Sequence, residues 1–255
     1  MKKLLLSAFV ICLAGTSIAQ ESPLWMRHCA LSPDGTTIAF TYKGDIYTVP
    51  STGGRATQIT TNPAFDTEPV WGPDSKQIAF ASDRMGSLDV FVVSSEGGAP
   101  QRLTTHSGSE KPVAYKDNKH ILFTANIAPS AEDAGFPSGQ FQQVYEVAVT
   151  GGRPAMFSSM PMECISINKE GVMLYQDKKG YEDYWRKHQV SPIARDIWTY
   201  TPGKKPVYQK QTTFGGEDRE PVWSPDGKSF YYLSEEKGSF NIFQRTPGTT
   251  TSQQI

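Results

Sequence analysis

The chain has few of the residues that cross-link small proteins, and it lacks the positive charge typical of nucleic-acid binders. Its 255 residues include only three cysteines, which is too few for a disulfide framework in a chain of this length. The formal net charge is -1, and removing the two leader lysines described below, with no acids, makes it -3. Proteins that bind nucleic acid show a basic surplus, so the composition argues against a nucleic-acid partner.

Only one long apolar run occurs, and it lies at the start of the chain. Lys2 and Lys3 precede the apolar segment 4–13, and the small residues Ser17 and Ala19 flank a cleavage point before residue 20. This pattern predicts a signal peptide over residues 1–19. The competing interpretation, a membrane anchor, is disfavoured because the run is too short to cross about 30 Å of hydrocarbon.

A lipoprotein is disfavoured as well, because the bulky Ile11 precedes Cys12 where a small residue is expected. No later segment is apolar enough for a transmembrane helix. We therefore expect a periplasmic or secreted protein that has no membrane partner after cleavage.

The sequence also lacks the motifs of known catalytic sites. There is no G-x-S-x-G elbow and no H-E-x-x-H. Two Ser-x-x-Lys matches, at 166–169 and 234–237, fall inside predicted strands or hairpins and match easily by chance. The four histidines lie on separate repeats: His28, His106, His120 and His188. We predict no catalytic residue, no metal site and no cofactor.

Repetition is the strongest feature of the sequence. The segment from Leu31 to Phe40 returns from Trp71, Tyr115, Ile165 and Trp223, and the copy that starts at Ile165 is degraded. Asp34 and Asp74 are 40 residues apart, Asp74 and Asp117 are 43 apart, and two longer repeats fill the 109 residues to Asp226. A period of about 40 residues with several strands per unit is typical of propeller blades. The repeats cover about 27–60, 68–105, 111–157, 163–213 and 219–255.

Turn residues divide each repeat into four strands. In the second repeat they are the Pro-Asp turn at 73–74, the segment 83–86 and the glycine pair 97–98, which supply three hairpin turns. Pro and Asp favour turns through a fixed φ and through side-chain bonds to backbone amides. The aspartates are single and a whole repeat apart, so they cannot converge on a calcium ion. The prediction for residues 20–255 is an all-β fold: a β-propeller of four-stranded antiparallel blades, with five repeats of an incomplete six- or seven-bladed ring.

Two segments interrupt the repeats and are candidates for binding. The first, 126–142, is rich in Pro, Ser, Gly and Ala, and the second, 177–196, is charged and aromatic. Insertions in propellers map to loops on one face, which is often the binding face. Trp and Arg are enriched in binding hot spots. The candidate substrate-binding residues are therefore Tyr184, Trp185, Arg186 and Lys187, and the alternative is that both segments are solvated loops.

After cleavage two cysteines remain, Cys29 in the first repeat and Cys164 in the fourth. Blades three apart in a ring place these positions on different sides. We expect free thiols, with a disulfide as the alternative.

The repeat residues resemble a known family. Trp223 to Lys228 followed by an aromatic strand, and glycine pairs leading to Gln58-Ile59-Thr60 and Arg102-Leu103-Thr104, resemble the blades of TolB and of the tricorn protease. Together with the signal peptide and the 181–198 segment, they resemble the N-terminal propeller of an exported bacterial tricorn-like serine peptidase.

The resemblance implies a non-catalytic module that admits or binds peptide or unfolded-protein substrates for a downstream protease domain. The catalytic residues of that family lie in later domains, and none maps onto this chain. On this interpretation the chain is a fragment, since Gln254-Ile255 matches Gln58-Ile59 and the sequence stops where an outer strand would continue.

Other functions remain open at this point. A free-standing TolB-like periplasmic protein-binding propeller would carry a preceding domain, and only the segment 20–29 precedes the first repeat. A sialidase-type enzyme would place its glycine differently, since Gly35 and Gly227 directly follow their aspartates. A prolyl-oligopeptidase relative would again need a further catalytic domain.

Overall fold

The computed structural model describes residues 25–127, 141–180 and 190–255, and it places twenty strands there in five four-stranded sheets. Blade one comprises β1 (Arg27–Leu31), β2 (Thr37–Tyr42), β3 (Asp45–Pro50) and β4 (Thr57–Gln58). Blade two comprises β5 (Asp66–Trp71), β6 (Gln77–Ser82), β7 (Asp89–Ser94) and β8 (Gln101–Arg102). Blade three comprises β9 (Lys111–Tyr115), β10 (His120–Ala125), β11 (Gln143–Ala148) and β12 (Ala155–Ser158).

Blade four comprises β13 (Met162–Ile167), β14 (Met173–Asp177), β15 (Ile197–Thr201) and β16 (Val207–Lys210). Blade five comprises β17 (Asp218–Trp223), β18 (Phe230–Ser234), β19 (Asn241–Arg245) and β20 (Gln253–Gln254). Every sheet is an antiparallel meander in chain order, and the predicted propeller of four-stranded blades is confirmed. The predicted signal peptide, 1–19, lies outside the described residues. No helix among the described residues is long and apolar enough to cross a membrane.

The aspartates cap the first turn of their blades, as the sequence predicts. The Oδ1 atom of Asp34 accepts from the amide of Thr36 at 3.0 Å, and Asp226 accepts from Lys228 at the same distance. Hydrogen bonds from Ser32 and from this amide lower the pKa of Asp34 to about 2. The glycine pair at 97–98 has φ angles of +86° and +115°, a region that side chains other than glycine avoid.

The inner strands carry a β-bulge that the sequence analysis does not predict. Pairing between β5 and β6 shifts between Thr67 and Val70, and β17 and β18 show the same shift. Glu68 and Glu220 sit in these bulges with φ of 55°. A bulge bends the strand and increases its local twist, and here it recurs along the inner wall of the propeller.

The core lies between blades rather than within them. In blade two, Ile78 and Phe80 pack toward blade one, whereas Ala79 and Val90 pack toward blade three. Since successive residues of a strand point to opposite faces, both faces of this blade are apolar. The indole of Trp71 lies between blades one and two, and its Nε1 donates to the carbonyl of Ala30 at 2.9 Å.

The blades form an arc in which each packs on the next. The inner strands β1, β5, β9, β13 and β17 pack in that order, and no comparable packing joins blade five to blade one among the described residues. Apolar side chains on the two outer faces are accordingly exposed: Leu31 by 58%, Val222 by 56% and Ile242 by 51%. Five blades of an incomplete ring are therefore present, in agreement with the prediction.

Trp71→Ala should lower the free energy of unfolding by about 3–5 kcal/mol, because it opens a large cavity between two blades. Leu31 occupies the equivalent place in blade one but is exposed, so Leu31→Ala should change stability by less than about 1 kcal/mol. Urea unfolding followed by tryptophan fluorescence and circular dichroism compares the two variants. Equal losses would show that the face of blade one is covered in solution.

Candidate functional site at the insertion end

The antiparallel meander gives the propeller two different ends. The Pro-Asp turns and the glycine pairs connect strands at one end, which we call the turn end. Connections from second to third strand, and from each blade to the next, lie at the other end. Both interruptions of the repeat, between β10 and β11 and between β14 and β15, belong to this second end, so we call it the insertion end. The two insertions are thus attached to neighbouring blades at the same end.

The candidate binding residues predicted from the sequence, Tyr184, Trp185, Arg186 and Lys187, lie outside the described residues. So does most of the first insertion. The structure does describe the chain on both sides of the second insertion, up to Gly180 and again from Val190. These flanking residues show how the insertion is attached.

An ion-pair network holds the returning side of the second insertion. Arg195 Nε lies 3.1 Å from Glu163 Oε2 on the inner strand of blade four, and its Nη1 lies 2.7 Å from Glu217 Oε1 at the entry to blade five. Lys178 Nζ lies 2.8 Å from the other oxygen of Glu163. Burial alone would raise the pKa of Glu163, but hydrogen bonds and the nearby cations of Lys178 and Arg195 outweigh it and lower the pKa. The network therefore joins the insertion to two blades.

A second cluster of charges surrounds the buried carboxylate of Asp196. Lys179 donates to Asp196 and to the carbonyl of Ala194, and Lys210 Nζ lies 2.8 Å from Asp196 Oδ2. The amide of Asp196 donates to Asp177 at 2.8 Å. A buried carboxylate is tolerated when it is paired and hydrogen-bonded, and these contacts bring the two sides of the insertion together.

Two glycines allow the flanking chain to pack closely. A Cβ atom on Gly215 would lie 3.1 Å from Val190 Cγ1, and a Cβ atom on Gly180 would lie 3.1 Å from Ile193 Cγ2. The amide of Ser191 also donates to the carbonyl of Gly215 at 3.3 Å. The returning side of the insertion, at Val190 and Ser191, therefore packs against the linker into blade five.

Carboxyl groups at the insertion end are buried where successive blades meet. Burial, with a smaller contribution from the charge of Asp196, raises the pKa of Asp218 to about 7. Burial likewise raises the pKa of Glu110 to about 6, and Asp89 adds to the effect. Asp66 differs, because Nη2 of Arg84 donates to both of its carboxylate oxygens at 2.9 Å. Among the described residues no group of three or more metal-ligating side chains converges.

The insertion end carries several exposed apolar side chains, which are candidate contacts for a partner. Met85 is exposed by 60% in the turn between β6 and β7, and Val190 by 79% beside the second insertion. Trp25, Met26, Phe65 and Met160 are also exposed at this end, before β1, β5 and β13. Methionine side chains adapt to partners of different shape, and they account for three of these six residues.

The two cysteines lie on inner strands and are free thiols. Cys164 occupies a bulge with φ of 52°, and the protein atoms around it raise the pKa of its thiol to about 12, although solvent reaches the residue. It is therefore protonated and a poor nucleophile at neutral pH.

With this geometry established, comparison with known proteins identifies the family. Residues 23–255 match the model for the tricorn protease N-terminal beta propeller domain, and the chain belongs to this family. It is 38% identical over 213 residues to "Tricorn protease homolog 1" of Streptomyces coelicolor, a match that covers 83% of this chain and 19% of that protein. The chain thus spans about a fifth of the length of that curated relative.

Solved structures agree on the fold. The crystal structure of the tricorn protease superposes with a TM-score of 0.71 at 15% identity, covering 91% of this chain and 22% of that one. A putative TolB from Agrobacterium tumefaciens superposes with a TM-score of 0.70 at 14% identity, covering 91% of this chain and 81% of that one. Both likenesses concern the propeller fold.

The raised pKa of Asp218 predicts the sign of a pH effect on stability. Its ionised form is disfavoured in the folded state, so this contribution to stability is complete below pH 4 and is lost as the pH rises through about 7. The unfolding free energy should fall by up to about 4 kcal/mol between pH 4 and pH 8 through this group. Asp218→Asn should remove most of that fall in urea titrations at both pH values.

Asp226→Asn is the matched control, because hydrogen bonds lower the pKa of this exposed carboxyl. This carboxyl group is ionised in the folded and unfolded states above pH 5. Its substitution should therefore leave the change of unfolding free energy with pH unaltered. If the unfolding free energy of Asp218→Asn still fell between pH 4 and pH 8, the pH effect would belong to other groups.

Proposed function

We propose that the chain is the non-catalytic propeller module of an exported tricorn-like serine peptidase, acting in the periplasm or outside the cell. In this role it binds peptide or unfolded-protein substrates at the insertion end and admits them to a downstream protease domain. The observation that carries the proposal is that both insertions are attached at that one end, where exposed apolar side chains such as Met85 and Val190 also lie. Family membership supports the link to a peptidase.

The chemistry of this end suits an unfolded chain. Unfolded substrates present apolar side chains and backbone amides without a fixed shape, and flexible methionine side chains repack around such partners. Tyr184, Trp185, Arg186 and Lys187 add aromatic and cationic groups to the second insertion, whose two sides are fixed by the contacts of Arg195 and Lys179. A firmly attached loop loses less conformational freedom on binding than a free one.

The alternative function is a free-standing TolB-like periplasmic propeller that binds a protein partner. The likeness in fold to a putative TolB covers most of that structure. For this reason we retain the alternative. The gene sequence beyond the codon for Ile255 separates the two. A reading frame that continues into a serine protease domain supports the peptidase module, and an immediate stop codon supports the alternative.

Substrate binding is tested with a fluorescein-labelled, permanently unfolded polypeptide, such as reduced and alkylated lactalbumin. Its anisotropy should rise on titration with the protein. The double variant Trp185→Ala/Arg186→Ala and the single variant Met85→Ala should each weaken binding at least about fivefold, since central anchors of this type contribute 1 kcal/mol or more.

Leu31→Ala provides the control, because Leu31 is as exposed as Met85 but lies at the turn end. It should change the dissociation constant less than twofold. If Leu31→Ala weakened binding as much as Met85→Ala, the polypeptide would be adsorbing to apolar surface in general, and the proposed location would be wrong.

A further inference from the structure

We propose that the outer wall of blades three and four carries a second binding surface, which takes an extended acidic segment of a partner polypeptide. We call this surface the outer groove: strand β12 of blade three, strand β16 of blade four and the hairpin 201–206 that leads into β16. It lies away from the insertion end, and it does not depend on the substrate binding proposed above.

The outer groove is exposed to an unusual extent. All residues from Thr201 to Lys210 are exposed, so β16 is covered on neither face. Val207 is 56% exposed, Tyr208 40%, and Met156 on the neighbouring β12 45%. The outer strands of blades one, two and five are only two residues long, whereas β12 and β16 have four each.

The free edge of β16 offers backbone groups to a further strand. Tyr200 lies opposite Tyr208 and Trp198 opposite Lys210, and the amide of Gln211 donates to the carbonyl of Ile197 at 2.7 Å. In an antiparallel ladder the direction of the backbone groups alternates along the strand. The N–H and C=O groups of Tyr208 and Lys210 therefore point away from β15, where an added strand would meet them.

Aromatic rings line the side of this edge that faces blade three. The ring centroids of Tyr208 and Tyr200 are 5.0 Å apart, and those of Tyr200 and Phe157 are 5.8 Å apart. Lys116 Nζ lies 5.3 Å from the centroid of the Phe157 ring. The rings provide a surface against which apolar side chains of a bound strand can pack.

The charge of the outer groove is positive. The charged residues of the outer groove are Lys204, Lys205 and Lys210, and Arg153 lies just before β12. Glu146, which lies opposite Ala155 of β12, is paired with Lys116. Lys210 is paired with Asp196. Among the described residues, Arg153, Lys204 and Lys205 have no ion-pair partner, although the chain as a whole has a net charge of -1. A local surplus of unpaired cations favours a partner that carries carboxylates.

The combination of groups favours a polypeptide over other anions. A nucleic acid or an acidic polysaccharide would use the cations, but it has no backbone that continues a β-ladder. An extended acidic segment uses both: its backbone pairs with Tyr208 and Lys210, and its carboxylates approach Lys204 and Lys205. This complementarity selects the class of partner.

The probe for this surface is a fluorescein-labelled, acetylated twelve-residue peptide of alternating Glu and Val, titrated into the whole protein at 50 mM salt. We expect saturable binding that weakens at least about fivefold at 300 mM salt and in the double variant Lys204→Gln/Lys205→Gln. Tyr208→Val, which keeps a strand-forming residue, should weaken binding about threefold or more. Hydrogen exchange should slow at Tyr208 and Lys210 when the peptide is bound.

The matched control is Lys76→Gln/Lys228→Gln, which removes the same charge from exposed turn lysines of blades two and five and should change binding less than twofold. Equal weakening by the control would overturn the proposal, because the protein would then attract anions without a site. Displacement of the peptide by heparin as readily as by unlabelled peptide would point to an anionic polymer instead. Self-association in sedimentation velocity without peptide, abolished by Lys204→Gln/Lys205→Gln, would show that a second copy occupies the groove.

Discussion

Each blade of this propeller must bury both of its faces, and most of the structure follows from that requirement. Phe80 of blade two packs toward blade one, and its neighbour Ala79 packs toward blade three. Strands that are buried on both faces are near-continuous apolar runs rather than alternating ones, as in Val90 to Val93. A single blade cannot shield such strands, so each repeat is stabilised mainly by its neighbours.

The end blades show what this dependence means when a neighbour is missing. Trp71 is buried between two blades, while Leu31, at the equivalent position of blade one, is 58% exposed. Val222 of blade five is exposed in the same way, although Val70, its counterpart in blade two, packs against blade three. The open faces thus carry apolar side chains at positions that are buried at the interfaces between other blades.

The fold was predictable from the sequence because its signals are local. Asp34 and the amide that it caps are two residues apart, and the glycine pairs lie at the same phase of successive repeats. Each turn can therefore be recognised from a few residues that are close together in the sequence. The phase also identified the two insertions, because a segment that breaks a regular period stands out without any knowledge of contacts.

The attachment of the second insertion was not predictable in this way. Arg195 meets Glu163 across 32 residues and Glu217 across 22 residues, on two different blades. Nothing in the sequence near these residues distinguishes them from solvated charges. The β-bulge at Glu68 likewise has no sequence signal that would predict it. The predicted binding residues Tyr184 to Lys187 lie outside the described residues and stay a prediction, although the structure locates the two ends of their segment.

The junctions between blades differ in how they neutralise buried acid, and this difference coincides with the position of the second insertion. At the first junction Arg84 binds both oxygens of Asp66, and its guanidinium lies 4.6 Å from the ring centroid of Phe91. At the fourth junction the described residues provide no ion pair for Asp218, and the nearby carboxylate of Asp196 adds to the effect of burial. An arginine holds its charge and its geometry at any physiological pH, whereas burial without a nearby cation favours the protonated form of an acid. The blade contact beside the second insertion therefore contains a carboxyl group that changes its charge near neutral pH, as Glu110 does at the second junction.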